Sequence, residues 1–305
     1  MKIGLALGSG SSRGWSHIGI IKALIDMGIE PDVVCGTSIG ALVGASYVSN
    51  NLDKLEVWVC SLTKFKLVKY FEIKASLNGF IDKKKLQEFL NEYVSENSSL
   101  IEDLPKKYAS VATEIATGRE VWITNGSILD AVWASISLPG LFPAINKDDQ
   151  WLVDGGLVNP VPVSVCRALG ADVVIAVNLN SDIVGKHFNK TKRPVKNKEA
   201  DVFSKISGFV KKYSDWEFRS TVDEDKDEEV DNAPNLIDAI ANSINIAQDR
   251  ITRSRIAGDP PDILLTPKLS HIGLLDFHRA KEAIAEGRQC VERVKEEINY
   301  LFKKT

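Results

Sequence analysis

Ser38, set between two glycines, is the residue from which a chemical reading of this chain starts. It stands in Gly36-Thr37-Ser38-Ile39-Gly40, after the β-like run Asp32-Val33-Val34-Cys35 and before a small-residue helical stretch, Ala41 to Val48. That strand–turn–helix context suits a nucleophile elbow, in which a sharp turn lifts one side chain off a sheet and flanking glycines remove clashing Cβ atoms. Ser38 then projects at a helix N-terminus, where backbone N–H groups favour developing negative charge. An ordinary strand-to-helix turn has the same composition, so the motif needs partners.

Gly8-Ser9-Gly10-Ser11-Ser12-Arg13-Gly14 supplies one. It follows a second β-like run, Ile3 to Leu7, and precedes the helical pattern Ile18, Ile20, Ile21, Leu24, Ile25. In a parallel sheet both loops fall on the carboxyl edge, where one offers a hydroxyl and the other amide donors to the same reacting atom. The competing reading is a dinucleotide turn, with Gly8 and Gly10 as its glycines and Asp32 on a ribose. Arg13 occupies its third glycine position, Gly14 comes one residue late, and Ser38 is left without a role.

A serine hydroxyl needs a group to take its proton. Of the four histidines, His17 lies on the helix after the glycine loop, His187 is in a lysine-rich stretch, and His271 and His278 flank Gly-Leu-Leu-Asp-Phe. The chain order Ser38, an aspartate, His278 matches a hydrolase triad. The better candidate is Asp154, in Trp151-Leu152-Val153-Asp154-Gly155-Gly156, a short strand that ends in a glycine turn. A carboxylate before two glycines lets neighbouring backbone approach closely. An Asp-Gly turn without chemistry remains the alternative.

The elements that must position these groups alternate in type. Further strands are expected at Tyr108 to Thr113, Val121 to Ile123, Asp172 to Asn178 and Asp262 to Thr266. Helices are expected at Asp53 to Leu62, Lys83 to Val94, Ile128 to Ser135, Val163 to Leu169, Leu236 to Ile256 and His278 to Leu301. The pattern predicts an α/β fold, a mainly parallel sheet with helices on both faces. At 305 residues, 44% hydrophobic and 26% charged, the chain suits a single large domain spanning residues 1–305. A net charge of −3 carries no nucleic-acid signal. No apolar run reaches the roughly 18 to 20 residues that span a bilayer, and the N-terminus does not read as a signal peptide. Cys35, Cys60, Cys166 and Cys290 lack metal-ligand spacing, and free thiols in a reducing cytoplasm account for them.

Residues 181–234 break the rhythm and read as an insertion. Lys186 to Lys198 is basic, Asp223 to Asp231 holds seven acids against Lys226, and Val202 to Phe218 carries a helix-like apolar stripe. A lid or membrane-contacting helix and a stripe packed on the body are both open readings. Lys64 to Phe71 is a second basic–aromatic stretch with the same two readings. The acidic run lacks the glycine and ligand spacing of a calcium loop.

Taken together, three blocks resemble the patatin-like phospholipase family in its short bacterial form, related to the neuropathy-target-esterase-type domain. They are Gly8 to Gly14 with Ser16-His17-Ile18-Gly19, Gly36-Thr37-Ser38-Ile39-Gly40, and Asp154-Gly155-Gly156. Ala134-Ser135-Ile136-Ser137-Leu138-Pro139-Gly140-Leu141-Phe142-Pro143 is similar to the family's segment ahead of the aspartate, and Arg255 to Arg279 to its C-terminal part. The resemblance implies a patatin-like α/β/α fold and a serine–aspartate dyad without a catalytic histidine: Ser38 as nucleophile, Asp154 as proton acceptor. It implies an oxyanion hole of backbone N–H groups around Gly10, Ser11, Ser12 and Arg13, with Gly8, Gly14, Gly36, Gly40, Gly155 and Gly156 as motif glycines. Ser9 and Ser11 depart from the consecutive glycines of many members, and their hydroxyls, with that of Ser12, serve either a polar headgroup or local loop bonding.

The function this implies is hydrolysis of lipid acyl esters of phospholipase or lysophospholipase type through an acyl-serine, with no metal or organic cofactor. The expected partner is a lipid ester, met in the cytoplasm or at a membrane surface. Acyl transfer by the same dyad and a non-catalytic binding module are the alternatives.

Overall fold

The computed structural model describes residues 1–64, 66, 83–139, 142–183 and 236–303. The stripe at Val202 to Phe218, its flanking charge runs, His187 and most of Lys64 to Phe71 lie outside them.

Strand β1 (Ile3–Leu7) shows why a parallel sheet forms at the centre. Leu5, Ala6 and Leu7 have no solvent exposure, and the same holds for Val33, Val34 and Cys35 of β2 (Val33–Thr37) and for Val174 to Val177 of β7 (Val173–Val177). Strands covered on both faces read as continuous apolar runs because neither face meets water. The remaining strands are β3 (Lys107–Glu114), β4 (Glu120–Ile123), β5 (Ile145–Lys147), β6 (Gln150–Asp154) and β8 (Ile263–Leu265). Among the described residues the sheet has eight strands, linked by pairing as β5-β6-β3-β2-β1-β7-β8, with β4 also paired to β3. β3, β2, β1, β7 and β8 run parallel, whereas β4 and β6 pair antiparallel with β3, and β5 with β6. The expected mainly parallel sheet is present with an antiparallel end.

Large and small residues alternate along β1 and give the two faces different depths. Leu5 and Leu7 join the larger core with α1 (Ser16–Asp26), α2 (Ile39–Val48), α3 (Leu52–Cys60), α5 (Ile128–Ile136) and α8 (Ala280–Arg293). Ala6 faces the smaller core under α6 (Val163–Ala168), formed with Val33, Cys35, Ala109, Val111, Val163, Val165 and Cys166. Where α1 crosses α8, a Cβ on Gly19 would stand 2.0 Å from the Ile284 carbonyl oxygen, and one on Gly287 2.1 Å from that of Ser16. Two glycines thus let the backbones touch. The other helices are α4 (Lys83–Tyr93), α7 (Leu236–Gly258) and α9 (Lys295–Lys303). Among the described residues no helix is long and apolar enough to cross a membrane.

Two local expectations change. The single helix expected over His278 to Leu301 is a 3₁₀ turn, Phe277–Arg279, then α8 and α9, separated at Val294 (φ −117°, ψ 17°). The break turns Ile298 into the core with no exposed surface, and that burial outweighs continuing the helix. Strand β5, absent from the sequence reading, hairpins onto β6 through Asp148 and Asp149, both at positive φ (51° and 61°) as a two-residue primed turn needs. Asp-Asp is a weaker signal for that turn than Asp-Gly.

Candidate active site

β3 brings the serine and the aspartate together. β2 pairs with β3 up to Thr37↔Val111, and β6 pairs with it from Ala112↔Asp154 onward. Because β4 overlaps both of these segments, it occupies the opposite edge of β3. β2 and β6 therefore share one edge and meet end to end, β2 rising to Ser38 and β6 descending to Asp154. A Cβ on Gly155 would lie 2.1 Å from the Val111 carbonyl oxygen, so the turn after Asp154 fits this junction only with glycine.

Ser38 has φ 56° and ψ −124°, a conformation that non-glycine residues adopt at a cost of about 1–3 kcal/mol unless the surroundings hold it. It starts α2 without capping it by its side chain. Instead its hydroxyl donates to Asp154 Oδ2 at 2.5 Å, while the Gly156 N–H donates to Asp154 Oδ1 at 2.7 Å. The Asp154 carboxyl is 2% exposed; burial pushes its pKa up to about 6, against the opposing pull of the Ser38 and Gly156 hydrogen bonds. A carboxylate of this kind is largely ionised at pH 7 yet a better proton acceptor than a solvated aspartate.

The glycine–serine loop lies beside this pair because β1 is the neighbour of β2. Its 3₁₀ turn, Ser11–Trp15, begins with Ser11 at φ 52°. The Ser12 N–H reaches the Leu274 carbonyl and the Arg13 N–H that of Gly10, each at 3.3 Å. The Gly10 and Ser11 amides have no hydrogen-bond partner among the described residues. Of the four residues expected as donors, these are the two whose amides have no partner among the described residues. All three serine hydroxyls are engaged inside the protein: Ser9 donates to Gln248, Ser11 to the Leu274 carbonyl and Ser12 to that of Gly273. Local bonding, rather than a headgroup, occupies them.

Arg13 is buried without an ion pair among the described residues. Its guanidinium donates to the Gly10 carbonyl (3.1 Å) and to Asn245 Oδ1 (2.9 Å), and burial lowers its pKa to about 10, so it stays charged at neutral pH. His17 is fully buried with Nε2 2.8 Å from the Gly8 carbonyl, and burial lowers its pKa to about 4. It braces the loop as a neutral ring. His271 pairs with Glu282 at 2.6 Å and His278 sits in the 3₁₀ turn before α8. Ser38 is bonded to Asp154 directly, and neither His271 nor His278 has a hydrogen bond to either of them among the described residues. The dinucleotide alternative also fails: Asp32 accepts from the Ile3 N–H (2.7 Å) at the amino edge of the sheet, opposite the Gly8 loop.

A patatin-like phospholipase sequence model matches residues 5–167, more than half of the chain. The chain belongs to the patatin-like phospholipase family. It is 30% identical to an uncharacterized NTE family protein of Mycobacterium tuberculosis over 94% of this chain and 89% of that one. It is 35% identical to the neuropathy target esterase of Drosophila melanogaster over 59% of this chain and 13% of the fly protein. With a lysophospholipase of Aspergillus fumigatus it shares 27% identity over 97% of this chain and 18% of the fungal one. The two eukaryotic relatives are several times longer, and this chain corresponds to a fraction of each.

Beyond the family motifs, α7 contributes residues that sequence reasoning missed. Asn245, Gln248, Asp249 and Thr252 recur at helical spacing on one face, and all are buried. Gln248 Oε1 accepts from Ser9 and from Asn180 Nδ2 (2.9 Å), and Asn245 holds Arg13. Arg255 pins the end of the same helix to the Val158 carbonyl (2.8 Å) and to Glu120 (2.6 Å). A polar stripe on a helix reads as a solvent face; here its Asn245 and Gln248 face the loop, whose polar groups need partners.

Proposed function

We propose that this protein hydrolyses carboxylic esters of lipids through a Ser38–Asp154 dyad. The observation that carries the reading is the 2.5 Å hydrogen bond from Ser38 to a buried Asp154 at a strained strand-to-helix turn. Family membership and the names of the relatives, an esterase and a lysophospholipase, support a lipid ester as substrate.

In the first half-reaction the Ser38 Oγ attacks the acyl carbon while its proton passes to Asp154 Oδ2. The carbonyl oxygen becomes an oxyanion facing the Gly10 and Ser11 amides, with the Arg13 charge behind the loop. Collapse breaks the bond to the alcohol oxygen, which leaves with the proton from Asp154. Water then attacks the acyl-serine, gives its proton to Asp154, and the Ser38 oxygen takes that proton as the fatty acid leaves. No step needs a redox partner.

The test compares wild type, Ser38→Ala and Asp154→Asn by fluorophosphonate labelling and by fatty-acid release from a lysophospholipid. Labelling and release by wild type are expected, with both lost in Ser38→Ala and slowed by about 10²-fold or more in Asp154→Asn. Wild-type rates in Asp154→Asn would remove the dyad; a folded wild type that neither labels nor releases fatty acid, with or without detergent micelles, would favour a binding module.

A further inference from the structure

Ser135 belongs to the segment before the aspartate and has no part in the chemistry described above. It is fully buried at the end of α5. Its hydroxyl donates to the Val111 carbonyl at 2.6 Å and accepts from the Ser38 N–H at 2.8 Å. Val111 is the β3 residue opposite Thr37, and its neighbour Ala112 is opposite Asp154. The hydroxyl therefore sits at the junction where β2 ends and β6 begins, between a carbonyl of the shared strand and the amide of the strained serine.

This is not the usual use of a serine in a helix, which is to bond back to its own preceding turn. Ser137 does so, donating to the Trp133 carbonyl at 2.7 Å. For Ser135 the equivalent acceptor, the Ala131 carbonyl, is taken by Ser110 on β3 at 2.6 Å. The Ser135 side chain reaches across to the elbow instead. A residue held at φ 56° and ψ −124° relaxes unless several contacts fix it, and the Ser38 amide has this one partner among the described residues.

We propose that Ser135 is a positioning residue for the reaction: its hydroxyl ties the Ser38 peptide to β3 at the height where the Ser38 side chain meets Asp154. The proposal rests on the Ser38–Asp154 reading. Without the hydroxyl, the Ser38 amide loses its tie to the Val111 carbonyl and the turn settles away from Asp154. Two consequences separate this from general loosening. Misplacement by about 1 Å costs up to 10²-fold in the chemical step while leaving substrate binding alone. In addition, Asp154 loses the hydrogen bond that favours its ionised form, so the acid limb of the rate profile moves to higher pH.

The experiment measures kcat, KM and their pH dependence with a nitrophenyl ester, and fluorophosphonate labelling rates, for wild type, Ser135→Ala, Ser135→Thr and Ser137→Ala. The last variant removes a buried hydroxyl at the same helix end, one that bonds back to the Trp133 carbonyl and not to the Ser38 turn. Expected are a fall of about 10- to 100-fold in kcat for Ser135→Ala, KM within about twofold, an acid limb displaced upward, recovery in Ser135→Thr and near-wild-type behaviour in Ser137→Ala. A folded Ser135→Ala protein with the wild-type kcat and acid limb overturns the positioning role while leaving the dyad intact. So does an equal loss in Ser137→Ala. Wild type without labelling or turnover overturns both readings. Should Ser135→Ala not fold, Ser135→Cys, which keeps the shape and weakens the bond, is decided by the same kcat and acid limb.

Discussion

Asp154 shows how one buried carboxyl links the proposed chemistry to stability. Its pKa in the folded protein is about 6, above the value near 3.8 of a solvated aspartate, with burial the leading cause. The native state therefore binds this proton more tightly than the unfolded chain. Stability from this group is fully present below about pH 4 and is lost as pH rises through about 6, a cost of about 2–3 kcal/mol at higher pH. Asp154→Asn is expected to be more stable than wild type at pH 8 by an amount of this order, the gain vanishing toward pH 4; urea midpoints at the two pH values measure it. Unchanged midpoints at both would mean that the burial cost is recovered elsewhere. The same carboxyl sets the activity profile, and kcat/KM should rise through about pH 6 as Asp154 ionises.

At the scale of elements, α7 is the helix that holds the loop. Gln248 satisfies Ser9 and Asn180 at once, and Asn245 satisfies a buried arginine that has no carboxylate partner among the described residues. Gln248→Leu leaves Ser9 and Asn180 buried without their acceptor, which costs about 1–3 kcal/mol per group unless they rearrange. The expected outcome is fluorophosphonate labelling slowed by about tenfold or more with the far-UV circular dichroism of wild type; a wild-type labelling rate would show that the loop keeps its shape without the helix. The serines at positions 9, 11 and 12 belong to the same account. Each hydroxyl ties the loop to the C-terminal half of the chain, to Gln248 or to the 273–274 segment. Side chains here do the holding.

For the whole molecule, the family match ends at residue 167, yet β1 pairs along its full length with β7, and α1 packs on α8 where Ser16, Gly19 and Ile20 meet Ile284 and Gly287. A chain ending after residue 183 keeps β7 but loses α7, β8, α8 and α9. It uncovers the face of α1 that carries Gly19 and Ile20 and deprives Ser9 and Arg13 of Gln248 and Asn245; it is expected to be insoluble or rapidly cleaved by protease, and a soluble, labelled 1–183 protein would refute this. Much of this arrangement was legible in the sequence. Gly36 to Gly40 and Asp154 to Gly156 name their own turns, because only residues without a Cβ fit where backbones close to near 2 Å. The apolar runs of β1, β2 and β7 declare a doubly covered sheet, and the alternation of elements declares its parallel order. Other features belong to the tertiary structure alone. Which candidate meets Ser38, Asp154 or a histidine, depends on β2 and β6 abutting on one edge of β3, a matter of register between distant segments. The polar stripe of α7 and the hydroxyl of Ser135 carry no local signature, since a buried polar group is recognised only by the partner that folding brings to it. Local backbone sterics are written residue by residue; long-range pairing is decided by what the folded chain leaves unsatisfied.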